Sequence, residues 1–488
     1  MQTIVKRSLK YRRVQIFLGL VSFVFLIVSA VSIYGAFKPL PDGVSYEGEP
    51  HAAEKIEFLY DLTYEGEDGL NRDQVIFDKF HNIIDEAEEF VIVDMFLFND
   101  DYDRTMEFPS LSQEVTNTLI QKKQSRPDMT MIVMMDRINT FYGSYSTDLL
   151  NELKENDIHV FFSNLKPLRD SNPVYSGVYR TFFQWFGTEG NGWLPNAFSP
   201  DAPDVTLRSY LELLNFKANH RKTVVTEKKG MVMSANPHDA SAYHSNVGFV
   251  LEGDILQDMI ETEKTVAVMS GAEKELFHSL QADDAQGSVD KDNYKVQLLT
   301  EGKIKKHLLQ EIKDTKKGEA IIMGAFYLSD RDVISALMEA SENGAKVNLL
   351  LDANKDAFGR EKNGIPNRTV AHELVAKTNG KVNVRWYRTN GEQYHTKMVL
   401  FEHGEFSTLI GGSANYTKRN LHDLNLETNV KITGESSTKV MKDAAEYFNT
   451  LWKNEDYTYT ESFETYADDS RFSYILYRFQ EWSGMSGF

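Results

Sequence analysis

The chain has 488 residues, 41% of them hydrophobic and 26% charged, with 53 Lys and Arg against 72 Asp and Glu and no cysteine. That length holds one large or two medium globular units, and the absence of thiols excludes disulfides, thiolate catalysis and cysteine-ligated zinc or iron–sulfur centres. The acidic balance counts against a nucleic-acid partner, because proteins that hold DNA or RNA without base contacts rely on a basic footprint.

At the amino end, residues 14 to 37 are uncharged and rich in Val, Leu, Ile and Phe. A helix rises about 1.5 Å per residue, so this run can cross a hydrocarbon core of about 30 Å. Lys6, Arg7, Lys10, Arg12 and Arg13 precede it with no acid among them. This predicts a single-pass cell-membrane anchor over 1–37, with a cytoplasmic amino terminus, an extracytoplasmic body and the lipid bilayer as partner. A cleaved signal peptide is the alternative, but its apolar core is ordinarily about 7 to 15 residues and ends in a small-x-small site. Beyond the anchor, 48 basic side chains face 72 acidic ones, a formal charge of −24.

A first half is predicted over 38–280. An amphipathic helix at 70–88 leads to a buried strand at 89–100, then a helix, a second apolar strand ending in Asp136 and a third at 157–163. The second half, 294–455, repeats the order with a helix at 303–317, strands at 319–330 and 382–388, and a strand ending in Asp352 between them. This alternation predicts an α/β fold of two domains related by a pseudo-twofold axis, each a mixed β-sheet flanked by helices. Residues 281–293 are polar and aperiodic and read as a linker.

The halves differ in one place: 58 residues separate Phe162 from His220, but only 8 separate Tyr387 from His395. The extra segment, 166–215, carries Tyr175, Tyr179, Phe182, Phe183, Trp185, Phe186, Trp193 and Phe198. Insertions of this length usually carry function, and the segment reads either as a lipid-facing rim or as core. The tail, 456–488, has an aromatic stripe from Phe472 to Trp482 at helical spacing. Packing on the body is the expected reading for it, and lying on the membrane the alternative.

One constellation occurs twice. His220-Arg-Lys222 runs through an apolar strand to Glu227 and is followed by Ser234-Ala-Asn236; His395-Thr-Lys397 runs to Glu402 and is followed by Ser413-Ala-Asn415. Of the twelve histidines, only His220 and His395 have Lys two places on, and only they lead to Ser-Ala-Asn. Residues i and i+2 of a strand share a face, so each copy sets an imidazole beside an ammonium. Two copies about a pseudo-twofold axis would aim two His, two Lys and two Asn at one point, which suits a phosphodiester.

These residues resemble the signature of the phospholipase D superfamily, H-x-K-x(4)-D followed by G-S-x-N, two copies of which form one site. The chain departs from it in having Glu227 and Glu402 for Asp and Met233 for a Gly. The resemblance implies a phosphohistidine intermediate, with His220 as nucleophile and His395 as general acid, although the near symmetry of the half-sites leaves the opposite division open. It assigns the phosphoryl oxygens to Lys222, Lys397, Ser234, Asn236, Ser413 and Asn415, and support to Glu227 and Glu402. Glu427 and Asn246, which align when Gly253 is set on Gly434, are expected to brace the histidines. No metal or cofactor is needed, since the lysines neutralise the charge. The substrate class implied is membrane phospholipid, acted on by a phospholipase D hydrolase or a phosphatidyl transferase of the cardiolipin synthase kind. The alternatives are an extracytoplasmic nuclease of the same superfamily and a non-catalytic scaffold.

Overall fold

The computed structural model describes residues 2–52, 55–283, 294–358 and 360–486, so the predicted linker lies outside the described residues except for 281–283. Gln2–Phe37 is one helix. Within it, Tyr11–Phe37, of mean hydropathy 2.7, is the one stretch among the described residues long and apolar enough to cross a membrane.

Two mixed sheets follow. The first has seven strands in the order Ile56–Tyr60, Val247–Leu251, Gly230–Met233, Lys222–Thr226, Phe90–Met95, Thr130–Met135 and His159–Phe162. The second repeats this order with Tyr294–Thr300, Thr428–Glu435, Phe406–Gly412, Lys397–His403, Ala320–Ala325, Lys346–Asp352 and Val382–Tyr387. Antiparallel and parallel pairings recur at the same places, with only the last three strands of each run parallel. The second sheet gains Thr460–Ser462 at one edge and His51–Ala52 at the other.

That last strand alters the predicted division. His51 and Ala52 pair with Val296 and Lys295, and Glu47 bridges Leu299, so the segment just after the anchor belongs to the second sheet although it precedes the first in sequence. An edge strand offers unpaired backbone groups to any segment that passes it, and the chain leaving the anchor passes this one.

Period-two alternation divides each central strand between two cores. Phe90 and Ile92 point into a core shared by the two sheets, where they meet Val232, Phe249, Met398 and Leu409. Val91, Val93 and Met95 point the other way, under the helices Ile76–Glu86 and Leu111–Ser125. Helices Ile255–Met269 and Lys439–Lys453, one from each half, complete the shared core. The sheets approach closely: a Cβ on Gly411 would stand 2.7 Å from the Phe249 ring.

The insertion forms a helix, Pro173–Phe182, that packs along the last turns of the apolar amino-terminal helix, with Gly177 against Ser32 and Gly35 against Asp170 and Arg180. The aromatic side chains of this segment are divided. Tyr175 turns inward and its hydroxyl donates to the Leu211 carbonyl at 2.6 Å, whereas Trp185 and Phe186 are 73% and 69% exposed. The α-helix stops at Phe182 and a 3₁₀ turn follows over Gln184–Phe186, which breaks the spacing that one face would need.

The tail also departs from expectation. In the helix Arg471–Ser483, Phe472 and Trp482 are 75% and 76% exposed and Ile475 and Phe479 share their face. The body is held by the opposite side, where Tyr477 donates to the Ser329 carbonyl at 3.1 Å and Glu481 accepts from the Ser329 hydroxyl at 2.7 Å.

Candidate active site

Each motif histidine stands two residues before a central strand and is tied to the other half of the molecule. The His220 N–H donates to the Leu426 carbonyl at 2.9 Å, and the Leu426 N–H returns a bond to Ala218 at 3.0 Å. In the same way, His395 donates to Ser245 at 2.8 Å and Ser245 to Gln393 at 2.9 Å. Because Glu427 follows Leu426 and Asn246 follows Ser245, the side chains that brace the histidines cross the pseudo-twofold axis. Glu427 Oε1 lies 3.0 Å from His220 Nδ1, and Asn246 Oδ1 lies 3.1 Å from His395 Nδ1.

The acid closing the second strand of each half clamps the residue before the histidine. Asp136 accepts the Asn219 N–H at 2.6 Å and Asp352 accepts the Tyr394 N–H at 2.7 Å. Burial raises their carboxyls to about 7 and about 6. Beneath the imidazoles lie two phenylalanines, Phe96 with its ring centre 4.8 Å from His220 and Phe326 4.9 Å from His395. Sequence reading did not single these out, although they occupy equivalent places in the repeated strands 89–100 and 319–330.

Both motif lysines are fully buried. Lys222 donates to the His220 carbonyl at 2.8 Å and Lys397 to the His395 carbonyl at 2.9 Å. Burial is the largest influence on all four groups. It lowers His220 to about 4 against the opposing pull of Glu427, and lowers Lys222 to about 7. His395 and Lys397 fall well below their usual values, pushed further by the neighbouring cations. An anion entering among these groups would favour their protonated forms.

A cavity of about 380 Å³ opens here, lined among others by His220, His395, Asn236, Asn415, Phe96 and Phe326. Asn236 Oδ1 accepts the Leu97 N–H at 3.3 Å, which directs its NH₂ elsewhere. His244, also not anticipated, lines the cavity 5.7 Å from His395 and accepts the Gln393 N–H at 3.3 Å.

Two expectations need correction. Ser234 and Ser413 do not face the cavity; they hold the braces. Ser234 Oγ donates to Asn246 Oδ1 at 3.2 Å and accepts the Val247 N–H at 3.0 Å, while Ser413 donates to Glu427 and accepts the Thr428 N–H at 3.0 Å. Glu227 and Glu402 lie at the far ends of their strands, because five alternating positions carry a strand well away from its first residue. The buried Glu227 accepts the backbone N–H groups of Glu88, Glu89 and Phe90 at 2.6, 3.2 and 3.4 Å. Glu402 is half-buried, opposite Ala320 and Ser407.

Residues 308–452 match the family model described as cardiolipin synthase, PLD-like domain. That part of the chain is similar to a phospholipase D-like domain. The matched span contains the second copy of the repeated constellation, from His395 to Asn415, and its brace Glu427. A crystal structure of phosphatidylserine synthase from Haemophilus influenzae is similar across 90% of this chain and 96% of its own, with 11% identity and a TM-score of 0.55. Polyphosphate kinase from Porphyromonas gingivalis has 12% identity and a TM-score of 0.45 over 89% of this chain and 54% of its own. Nuc, a phospholipase D family member from Salmonella typhimurium, has 20% identity and a TM-score of 0.27 over 33% of this chain and 95% of its own. No curated protein matches the chain.

Proposed function

We propose that the protein is a membrane-anchored phosphodiester enzyme acting on phospholipids through a phosphohistidine on His220. The observation that carries this reading is the crossed pair of braced histidines facing one cavity, each above a buried lysine.

The braces also favour one division of labour. A carboxylate beside Nδ1 of His220 holds the proton there and makes Nε2 the more basic nitrogen. The neutral amide beside His395 gives no such support, so protonated His395 is the stronger acid. In the first step Nε2 of His220 attacks phosphorus, the bond to the departing alcohol breaks, and His395 gives that oxygen its proton. In the second, water or an alcohol gives its proton to His395 and attacks phosphorus, breaking the N–P bond and freeing His220. Lys222, Lys397, Asn236 and Asn415 offer donors to the charged oxygens. Hydrolase and phosphatidyl transferase share this course and differ in which acceptor reaches the intermediate.

The anchor, the exposed aromatics beside its outer end and the acidic body support a lipid substrate over a polyanion. The deciding measurement is the lipid products formed by purified protein in mixed phosphatidylglycerol and phosphatidylethanolamine vesicles, with and without glycerol. Phosphatidic acid is expected from hydrolysis and an exchanged phosphatidyl ester from transfer. Inertness toward these lipids together with cleavage of single-stranded DNA would reject the proposal.

A further inference from the structure

A second cavity, of about 370 Å³, lies where the anchor meets the insertion. Lys217 lines it, whereas Ala218 lines the catalytic cavity, so the segment leading to His220 separates the two.

Its charge is at odds with the rest of the body. Arg137, Lys166, Arg180 and Lys217 line it, and Lys38 reaches its edge by donating to the Lys166 carbonyl. The carboxylates lining it are Asp170 and Glu212. Asp170 is already engaged by Arg180 and, at 2.9 Å, by Lys217. Arg137 stands 4.0 Å from Glu212. Lys38 and Lys166 have no carboxylate partner among the described residues. Lys38 is only 7% exposed, and withdrawing an ammonium from water without a counter-charge is unfavourable. Burial, together with Arg180 and for Lys38 also Lys217, lowers both Lys38 and Lys217 to about 7. This is a concentration of positive charge in a body whose formal charge is −24.

Its position indicates what would neutralise it. Lys38 is the first residue beyond the apolar stretch Tyr11–Phe37, and Gly35 packs against Asp170 and Arg180. The cavity therefore opens at the depth where the hydrocarbon gives way to headgroups. Arginine and lysine grouped at this level suit a phosphate ester, by charge and by charge-assisted hydrogen bonds. Tyr179, Gln184 and Asn164 add uncharged polar groups to the lining.

We propose that this cavity binds the phosphate of a glycerophosphate headgroup at a site distinct from the catalytic one. The inference rests on the anchor reading and is independent of the catalytic reading, because it is tested by binding. The full chain would be placed in nanodiscs of phosphatidylcholine, with or without one fifth phosphatidylglycerol, and its thermal unfolding followed. Phosphatidylglycerol is expected to raise the melting temperature by mass action, and the double variant Lys38→Gln, Lys166→Gln to lose that rise while melting normally in phosphatidylcholine. Lys166→Glu alone, at an exposed position, should reduce the rise and serves as the second variant if the double one folds poorly. Soluble glycerol 1-phosphate added to phosphatidylcholine discs separates the sources: a lysine-dependent rise there alone assigns the site to a free ester, and a rise with phosphatidylglycerol assigns it to lipid. A rise that both variants retain in full, or no rise with either ligand, overturns the proposal.

Discussion

His220 Nδ1 lies 3.0 Å from a carboxylate oxygen of Glu427, 207 residues further along the chain, while the matching nitrogen of His395 lies 3.1 Å from the amide oxygen of Asn246. The amide orientation is fixed independently, because Asn246 Oδ1 also accepts from Ser234 and its NH₂ donates to the His244 carbonyl at 3.0 Å. One half-site therefore has a negative brace and the other a neutral one, and the difference is measurable as a pH profile. His220 must be neutral to attack, so kcat/KM should rise with pH through about 4, its lowered value. His395 must be protonated, so activity should fall as pH rises through its own value. Asn246→Asp adds a negative charge beside His395, which raises that value and should move the alkaline limb up by about 1 to 3 pH units. An alkaline limb that stays in place would remove His395 as the acid.

The division of labour makes a second, separate prediction through the leaving group. His395→Asn should slow formation of the intermediate by about 10²- to 10⁴-fold with an alkyl leaving group and far less with p-nitrophenolate, which departs without a proton, so that the p-nitrophenyl substrate should give a burst followed by slow turnover. His220→Asn should abolish turnover of both. Acid-quenched wild-type enzyme should carry labelled phosphate at His220, and label at His395 would reverse the roles.

Glu227 and Glu402 hold the same motif position and should respond differently to mutation. Glu227 satisfies three backbone donors while almost fully buried. Glu227→Gln leaves at least one of them poorly matched and should destabilise the fold by about 1 to 3 kcal/mol, with kcat little changed in the protein that remains folded. Glu402→Gln should be close to neutral in the same melting experiment. Equal effects at the two positions would contradict the structure.

What was legible in the sequence follows from what repeats. The strands at 89–100 and 319–330, the closing Asp136 and Asp352 and the paired motifs could each be checked against a second copy, so the two-sheet fold could be read from patterns alone. Relations that arise only on assembly could not be read in this way. Motif spacing includes Ser234 and Ser413, but which way a hydroxyl turns depends on Asn246 and Glu427, which the backbone bridges at Leu426 and Ser245 bring in. His51–Ala52 is two residues long and has no periodicity to detect. The tail stripe has the same spacing whether it meets protein or lipid, so only the packing of Tyr477 decides which side faces the body.

Orientation across the membrane rests on the five bases that precede the apolar stretch. Protease added to spheroplasts should digest the body and leave a short amino-terminal fragment. Full protection, with digestion only after lysis, would place the body in the cytoplasm.

The exposed apolar groups of the insertion and the tail predict a membrane contact. Phe472, Ile475, Phe479 and Trp482 form one face of the last helix, whose end meets the insertion, since a Cβ on Gly484 would strike the Ser171 carbonyl. Two residues later begins Pro173–Phe182, which lies against the anchor and leads to the exposed Trp185 and Phe186. Anchor, insertion and tail are thus continuous, and amphipathic helices with aromatic faces bind at the headgroup boundary. The chain has no cysteine, so Ile475→Cys or Phe186→Cys gives a single labelling site for an environment-sensitive fluorophore. In nanodiscs, both labels should shift to the blue and be quenched by brominated lipid, whereas a control label at Lys154→Cys on the outer helix Asp148–Glu155 should not. A water-like spectrum at 475 with quenching at 186 would confine the membrane contact to the insertion; a water-like spectrum at both would leave the anchor as the sole attachment. Phe182→Ser with Phe183→Ser then tests the consequence for function. Turnover of a soluble phosphodiester and the melting temperature should hold while action on vesicles falls, and a joint loss of all three would identify these side chains as core.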